Sequence, residues 1–174
     1  RKIIDGNVAV ARCGLTTLPF EGVHVTGSFD CQKNQLTTLK GAPASVSKDF
    51  YCEYNQLTSL EGAPQSVGRS FWCNNNQLTT LEGAPQTVGS EFNCHHNQLT
   101  TLEGAPQTVG SEFNCIRNKG ITSLRGLTTQ AKEYNFDNFT DEQVKRAVKN
   151  NLYSHEVGKI EDDHLGIEDV LRDL

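Results

Sequence analysis

Apolar residues return along this chain with a period of 21 residues. Phe29, Phe50, Phe71, Phe92 and Phe113 each open a short Phe-x-Cys alternation that closes on Cys31, Cys52, Cys73, Cys94 and Cys115. A period of two marks a strand with one buried face, so Phe and Cys point inward and the residue between them points outward. Three residues after each Cys stands Asn34, Asn55, Asn76, Asn97 or Asn118. Leucine pairs follow, from Leu15/Leu18 through Leu36/Leu39, Leu57/Leu60 and Leu78/Leu81 to Leu99/Leu102, with Ile121/Leu124 last. Gly41-Ala42-Pro43 and its copies at 62–64, 83–85 and 104–106 then turn the chain, and Val46, Val67, Val88 or Val109 re-enters the core. In the first unit Val8, Val10 and Cys13 take the Phe, Cys and Asn slots.

A fixed period of this size predicts a repeat solenoid, in which each unit buries its apolar face only against its neighbours. Units start near 8, 29, 50, 71, 92 and 113, so residues 1–128 form the array and 129–174 a separate terminal segment. An inward Asn in every unit is costly unless its amide bonds backbone groups of adjacent turns, which predicts a ladder of stacked asparagines.

The pattern resembles a leucine-rich repeat, L-x-x-L-x-L-x-x-N/C-x-L, with Phe and Cys in two of the strand-leucine slots. The repeat length and the phrase N-Q-L-T-x-L-E-G-A-P look like the short variety found in bacteria and tailed bacteriophages. The resemblance covers roughly residues 7–128. It implies a right-handed coil with a short parallel β-sheet on the concave face, an irregular convex side and, over the last unit, a small α-helical C-terminal cap. Leucine-rich repeats mostly serve as recognition scaffolds, and fold by itself does not assign function.

The composition changes after Gln130. Thr140-Asp141-Glu142-Gln143 reads as a capping box, and Val144, Ala147, Val148 and Leu152 recur at helical spacing with Lys145, Arg146 and Lys149 towards solvent. A second helix is expected near 167–174, where Ile167, Val170, Leu171 and Leu174 line one side. Residues 161–174 hold six acids (Glu161, Asp162, Asp163, Glu168, Asp169, Asp173) against Arg172. That balance equals the net charge of −5 of the whole chain, so the remainder is near neutral.

Charge, cysteines and hydropathy then remove several function classes. An acidic chain lacks the basic face that phosphate binding needs, so no nucleic-acid partner is expected. There is no apolar run long enough for a membrane span and no signal-peptide pattern at the start. With no methionine in the sequence, residues upstream of Arg1 are expected to have been removed. Cysteines spaced one per unit lack the local pairs of zinc or disulfide frameworks and fit a small buried slot instead. Free thiols favour a reducing compartment, hence a cytoplasmic location, bacterial or host-cell, with the virion as the alternative. No metal or cofactor is implied: His95 and His96 are consecutive strand residues expected on opposite sides, with no third ligand in phase.

The units are nearly identical, and Asn76–Cys94 is repeated letter for letter as Asn97–Cys115. Variation concentrates on the columns flanking each Phe and Cys. There the expected partner-binding surface holds Tyr51, Trp72 and Tyr54, flanked by Asp49, Glu53, Asn74, Glu91, Asn93 and His95. Aromatics in a polar, acidic surround fit a protein-binding hot spot, and they also fit adjacent-strand stacking with no partner. No Ser-His-Asp set, phosphate loop or catalytic carboxylate pair can be assembled, so no catalytic residue is expected. Bacterial effectors with similar repeats carry a ubiquitin-ligase domain with a catalytic cysteine, but the C-terminal segment here has no cysteine.

The reading is a non-enzymatic protein–protein interaction module, monomeric or weakly oligomeric. The phage resemblance points to a host protein as its target. The alternative is a structural or virion-associated protein that self-associates or decorates a larger assembly.

Overall fold

The computed structural model describes residues 2–162. The chain winds as a parallel β-solenoid closed by one C-terminal helix, α1 (Asp141–Asp162). The Phe-x-Cys segments pair in parallel, Phe29 beside Phe50, Phe50 beside Phe71, Phe71 beside Phe92 and Phe92 beside Phe113, with no slip in register. This phenylalanine sheet has seven strands, from Val8–Ala9 to Glu133–Asn135. Its last strand puts Tyr134 against Phe113, so the sheet runs past residue 128 and the terminal segment begins as one more coil.

The valine positions form a second sheet where irregular backbone was expected. Strands Lys2–Ile4, Val23–Val25, Ser45–Val46, Ser66–Val67, Thr87–Val88 and Thr108–Val109 stack in parallel, and Gln130 adds an isolated bridge to Thr108. The cause is the coil period itself: once the phenylalanine strands are in register, every equivalent position one turn away is held within hydrogen-bonding reach. Close approach excludes side chains at three successive coils on this side, at Gly68, Gly89 and Gly110. A Cβ on Gly89 would lie 1.9 Å from the carbonyl oxygen of Gly68, which leaves glycine as the residue that fits.

The core between the sheets is built from columns. Phe29, Phe50, Phe71, Phe92 and Phe113 are fully buried; the first four rings stack at centroid separations of 5.1–5.6 Å, and Phe113 lies 5.3 Å from Phe92 with its plane tilted by 53°. Phe20 closes the stack edge-on at one end, 5.1 Å from Phe29, and Phe136 lies 5.6 Å from Phe113 at the other. The cysteines of the repeats are buried beside them, and burial pushes the thiols of Cys31, Cys52, Cys73 and Cys94 well up, so they stay protonated. Cys13, in the Asn slot of the first coil, is exposed.

The expected asparagine ladder is present. Asn76 Nδ2 donates to the carbonyls of Cys52 and Cys73, while its Oδ1 accepts from the amides of Asn55 and Leu57, all at 3.1 Å. Asn34, Asn55, Asn97 and Asn118 repeat the pattern of donating to two coils. Asp137 ends the ladder: its two carboxylate oxygens accept from the amides of Arg117 and Asn118 at 3.1 and 2.9 Å.

Helix α1 starts as the capping box requires. The Gln143 amide donates to Thr140 Oγ1 at 3.2 Å, and the Thr140 amide donates to Gln143 Oε1 at 2.9 Å. Val144 and Val148 are buried against the last coil, and Asn151 Nδ2 donates to the carbonyls of Leu124 and Leu127, both at 2.9 Å. Thr140→Ala is expected to cost about 1 kcal/mol and to loosen the first helical turn, read as a lower thermal midpoint with less ellipticity at 222 nm. The second helix expected near 167–174, and the acids beyond Asp162, lie outside the described residues.

Candidate functional site

The outer face of the phenylalanine sheet is a grid. One column is the residue between Phe and Cys: Asp30, Tyr51, Trp72, Asn93 and Asn114 on successive coils. Two residues on, the same face carries Gln32, Glu53, Asn74, His95 and Ile116. The register pairing Tyr51 with Trp72 therefore sets Glu53 beside Asn74, and the Tyr54 amide donates to the Asn74 carbonyl at 3.3 Å.

The sequence-predicted residues do not all contribute equally to this face. Tyr51 and Trp72 are half-buried and stack on each other, centroids 6.4 Å apart and planes 19° from parallel. Asn74 and Asn93 belong to the face but are only 7% and 4% exposed, crowded by the coils on either side. Asp49 and Glu91 sit one position before their strands, and each carboxylate is already engaged by a neighbour. Asp49 Oδ1 accepts from the Ser70 amide at 3.0 Å, and Glu91 Oε2 accepts from Asn93 Nδ2 at 3.3 Å.

Tyr54 belongs to a column the sequence did not reveal as special. Arg12, Lys33, Tyr54, Asn75, His96 and Arg117 all adopt positive φ, from 53° to 61°. Such a conformation strains most non-glycine residues, and here the hydrogen-bonded coils above and below hold it in place. It breaks the strand alternation, so that neighbouring residues both reach solvent. Tyr54 is 52% exposed, with the Lys33 ammonium 5.5 Å from its ring centroid. The same break corrects the reading of the histidines. His95 and His96 do not point to opposite sides: their Nδ1 atoms are 2.7 Å apart. Burial first and His96 second hold the His95 imidazole below its usual value. No cluster of three His, Cys, Asp or Glu suited to a metal occurs among the described residues.

The face is acidic at its centre. Asp30, Asp49, Glu53, Glu91 and Glu112 lie on or beside it, and among the described residues none is in an ion pair, the ion pairs being Lys40–Glu61 and Lys145–Asp141. Burial, then the charges of Asp49, Glu53 and Asp30, push the Tyr51 phenol up. Glu53 is the most perturbed carboxylate. Burial, reinforced by Asp30 and opposed by its backbone hydrogen bond and Lys33, raises it from 4.5 to about 7. Its Oε2 and the Oδ1 of Asn74 are the buried side-chain oxygens that lack a donor among the described residues.

A carboxyl raised on folding stabilises the fold only while protonated. The folded chain binds more protons than the unfolded one between 4.5 and about 7, so stability falls as pH rises through that window. Glu53→Gln is expected to flatten this dependence, with a smaller change in thermal midpoint between about pH 5 and about pH 8 than the parent protein shows.

The valine sheet presents a different outer face, of His24, Ser45, Ser66, Thr87 and Thr108 with Ser47, Gly68, Gly89 and Gly110. No family model, curated protein or solved structure matches this chain.

Proposed function

We propose that the protein is a non-enzymatic recognition module that binds a partner protein through the outer face of its phenylalanine sheet. The observation that carries the reading is the contrast between columns. Core positions repeat from coil to coil, whereas the outward columns change at almost every coil and place the Tyr51–Trp72 stack in an acidic surround. Half-buried aromatics with a polar rim are the usual anchors of protein interfaces. The buried, protonated cysteines support a structural role for the thiols rather than a nucleophilic one. Taken with the resemblance to repeat proteins of tailed phages, the proposed partner is a bacterial host protein met in the cytoplasm.

The test pairs immobilised parent protein with its Trp72→Ala variant in bacterial lysate. A specifically retained protein is expected, with at least about tenfold weaker retention by the variant, since an aromatic anchor is worth 2 kcal/mol or more. Equal retention by the two removes the aromatic pair from the interface.

A second reading, end-to-end assembly, has its own observation. Among the described residues the first strand, Lys2–Ile4, pairs on one side only, with Val23–Val25, an edge of the kind that a second solenoid extends. Sedimentation at micromolar concentration separates the two, a concentration-dependent increase in mass favouring assembly.

A further inference from the structure

We propose that the occupant of the Tyr51–Trp72 face is an arginine side chain of the partner protein, its guanidinium lying on the aromatic pair and donating to Glu53 and Asn74. This rests on the recognition role proposed above and names the chemistry of the ligand.

Three observations converge on it. The buried oxygens Glu53 Oε2 and Asn74 Oδ1 are both acceptors, lie on adjacent coils in one column, and have no donor among the described residues. A buried polar atom without a partner is costly, and what would satisfy both is a group with several N–H donors. The carboxylates around them carry no ion pair among the described residues, so the field at the face favours a cation. The neighbouring aromatic rings offer a π surface of the kind that the chain already uses for a cation of its own, Lys33 over Tyr54 at 5.5 Å.

Arginine fits better than lysine. Its planar fork stacks on aromatic rings and donates in two directions at once, whereas an ammonium is a compact, strongly hydrated point charge. Presenting the two oxygens to a ligand calls for side-chain rotation of Glu53 and Asn74, since their carbonyls are held in the coil ladder.

Trp72 is the single tryptophan of the chain and reports directly on the site. The probe is a tetra-arginine peptide titrated into the intact protein at about pH 8, above the value of about 7 at Glu53, with tetra-lysine and tetra-citrulline peptides as comparisons. The arginine peptide is expected to change Trp72 emission saturably. The lysine peptide should bind more weakly, and the isosteric but uncharged citrulline peptide should give no change. Glu53→Gln should weaken arginine binding about tenfold, the worth of one charge-assisted contact. Glu82→Gln removes the same charge from an exposed turn outside the grid and should leave binding unchanged.

Equal binding of the arginine and lysine peptides, or equal loss in the two Gln variants, reduces the effect to diffuse charge attraction and overturns the proposal. So does the absence of any saturable change in emission. If the arginine peptide fails while Trp72→Ala still loses the retained partner, the recognition role stands and the cationic occupant falls. If the peptide binds as expected and Trp72→Ala retains every lysate protein, the site chemistry stands and the partner is engaged elsewhere.

Discussion

Asn76→Ala is expected to remove a large share of the stability of the fold. The Asn76 amide makes five hydrogen bonds to backbone groups of its own and adjacent coils, three donated and two accepted. Alanine strands the Asn55 and Leu57 amides in a position closed to water, while the Cys52 and Cys73 carbonyls keep the bonds donated by Asn55 and Asn97. Each stranded amide costs about 1–3 kcal/mol, so the loss should be about 2–6 kcal/mol, against a total of roughly 5–15 kcal/mol for an ordinary domain. Guanidinium unfolding followed by circular dichroism measures it. Asn76→Asp keeps the acceptor and discards the donor, so it should be destabilised too, and more at neutral pH than in acid. Gln77→Ala, one residue away and exposed, should change stability by no more than about 0.5 kcal/mol, which separates the ladder from a general sensitivity of the turn.

Phe71→Ala is the second large effect expected. The ring is fully buried between Phe50 at 5.1 Å and Phe92 at 5.6 Å, so its removal opens a cavity in the middle of a continuous aromatic column. Core Phe→Ala changes cost about 3–5 kcal/mol. The location adds a second signature. Solenoid coils contact only their neighbours, so a gap at the centre uncouples the two halves, and thermal unfolding should broaden or split into two transitions. Phe71→Leu refills most of the volume and should recover both the midpoint and the sharpness. A single sharp transition in the Ala variant would show that the hydrogen-bonded sheets, and not the ring stack, carry the cooperativity.

The parts of this architecture that were legible in the sequence are those a simple rule marks. Phe and Cys alternate with period two and return at fixed spacing, so strand, inward face and register follow together. Thr140 and Gln143 stand at capping-box spacing ahead of a helical pattern, and the helix starts there. The valine sheet escaped because most of its strands carry a single inward valine after a Gly-Ala-Pro turn, with no second apolar residue two positions away to mark alternation. The strand Glu133–Asn135 did carry the period, since Tyr134 follows Phe113 and Phe136 follows Cys115 at the repeat spacing, but the altered residue types concealed it. The positive-φ column left little trace: Arg12, Lys33, Tyr54 and Arg117 are not residues that announce a left-handed turn, and only Asn75 and His96 favour one. At the candidate site, the outward columns and the Tyr51–Trp72 pair could be counted from each Cys. The unsatisfied oxygens of Glu53 and Asn74 could not, because they depend on side-chain packing between coils.

The unslipped register has a consequence for how such a chain can change. The coils from Phe29 to Phe113 meet through the same Phe, Cys, Asn and Leu contacts, and Asn76–Cys94 recurs unaltered as Asn97–Cys115. A duplication or loss of one whole unit therefore leaves every interior contact matched and adds or deletes one row of the outward grid. Length becomes a variable that selection can adjust in whole rows, and each new row arrives with blank surface positions on a core that already fits.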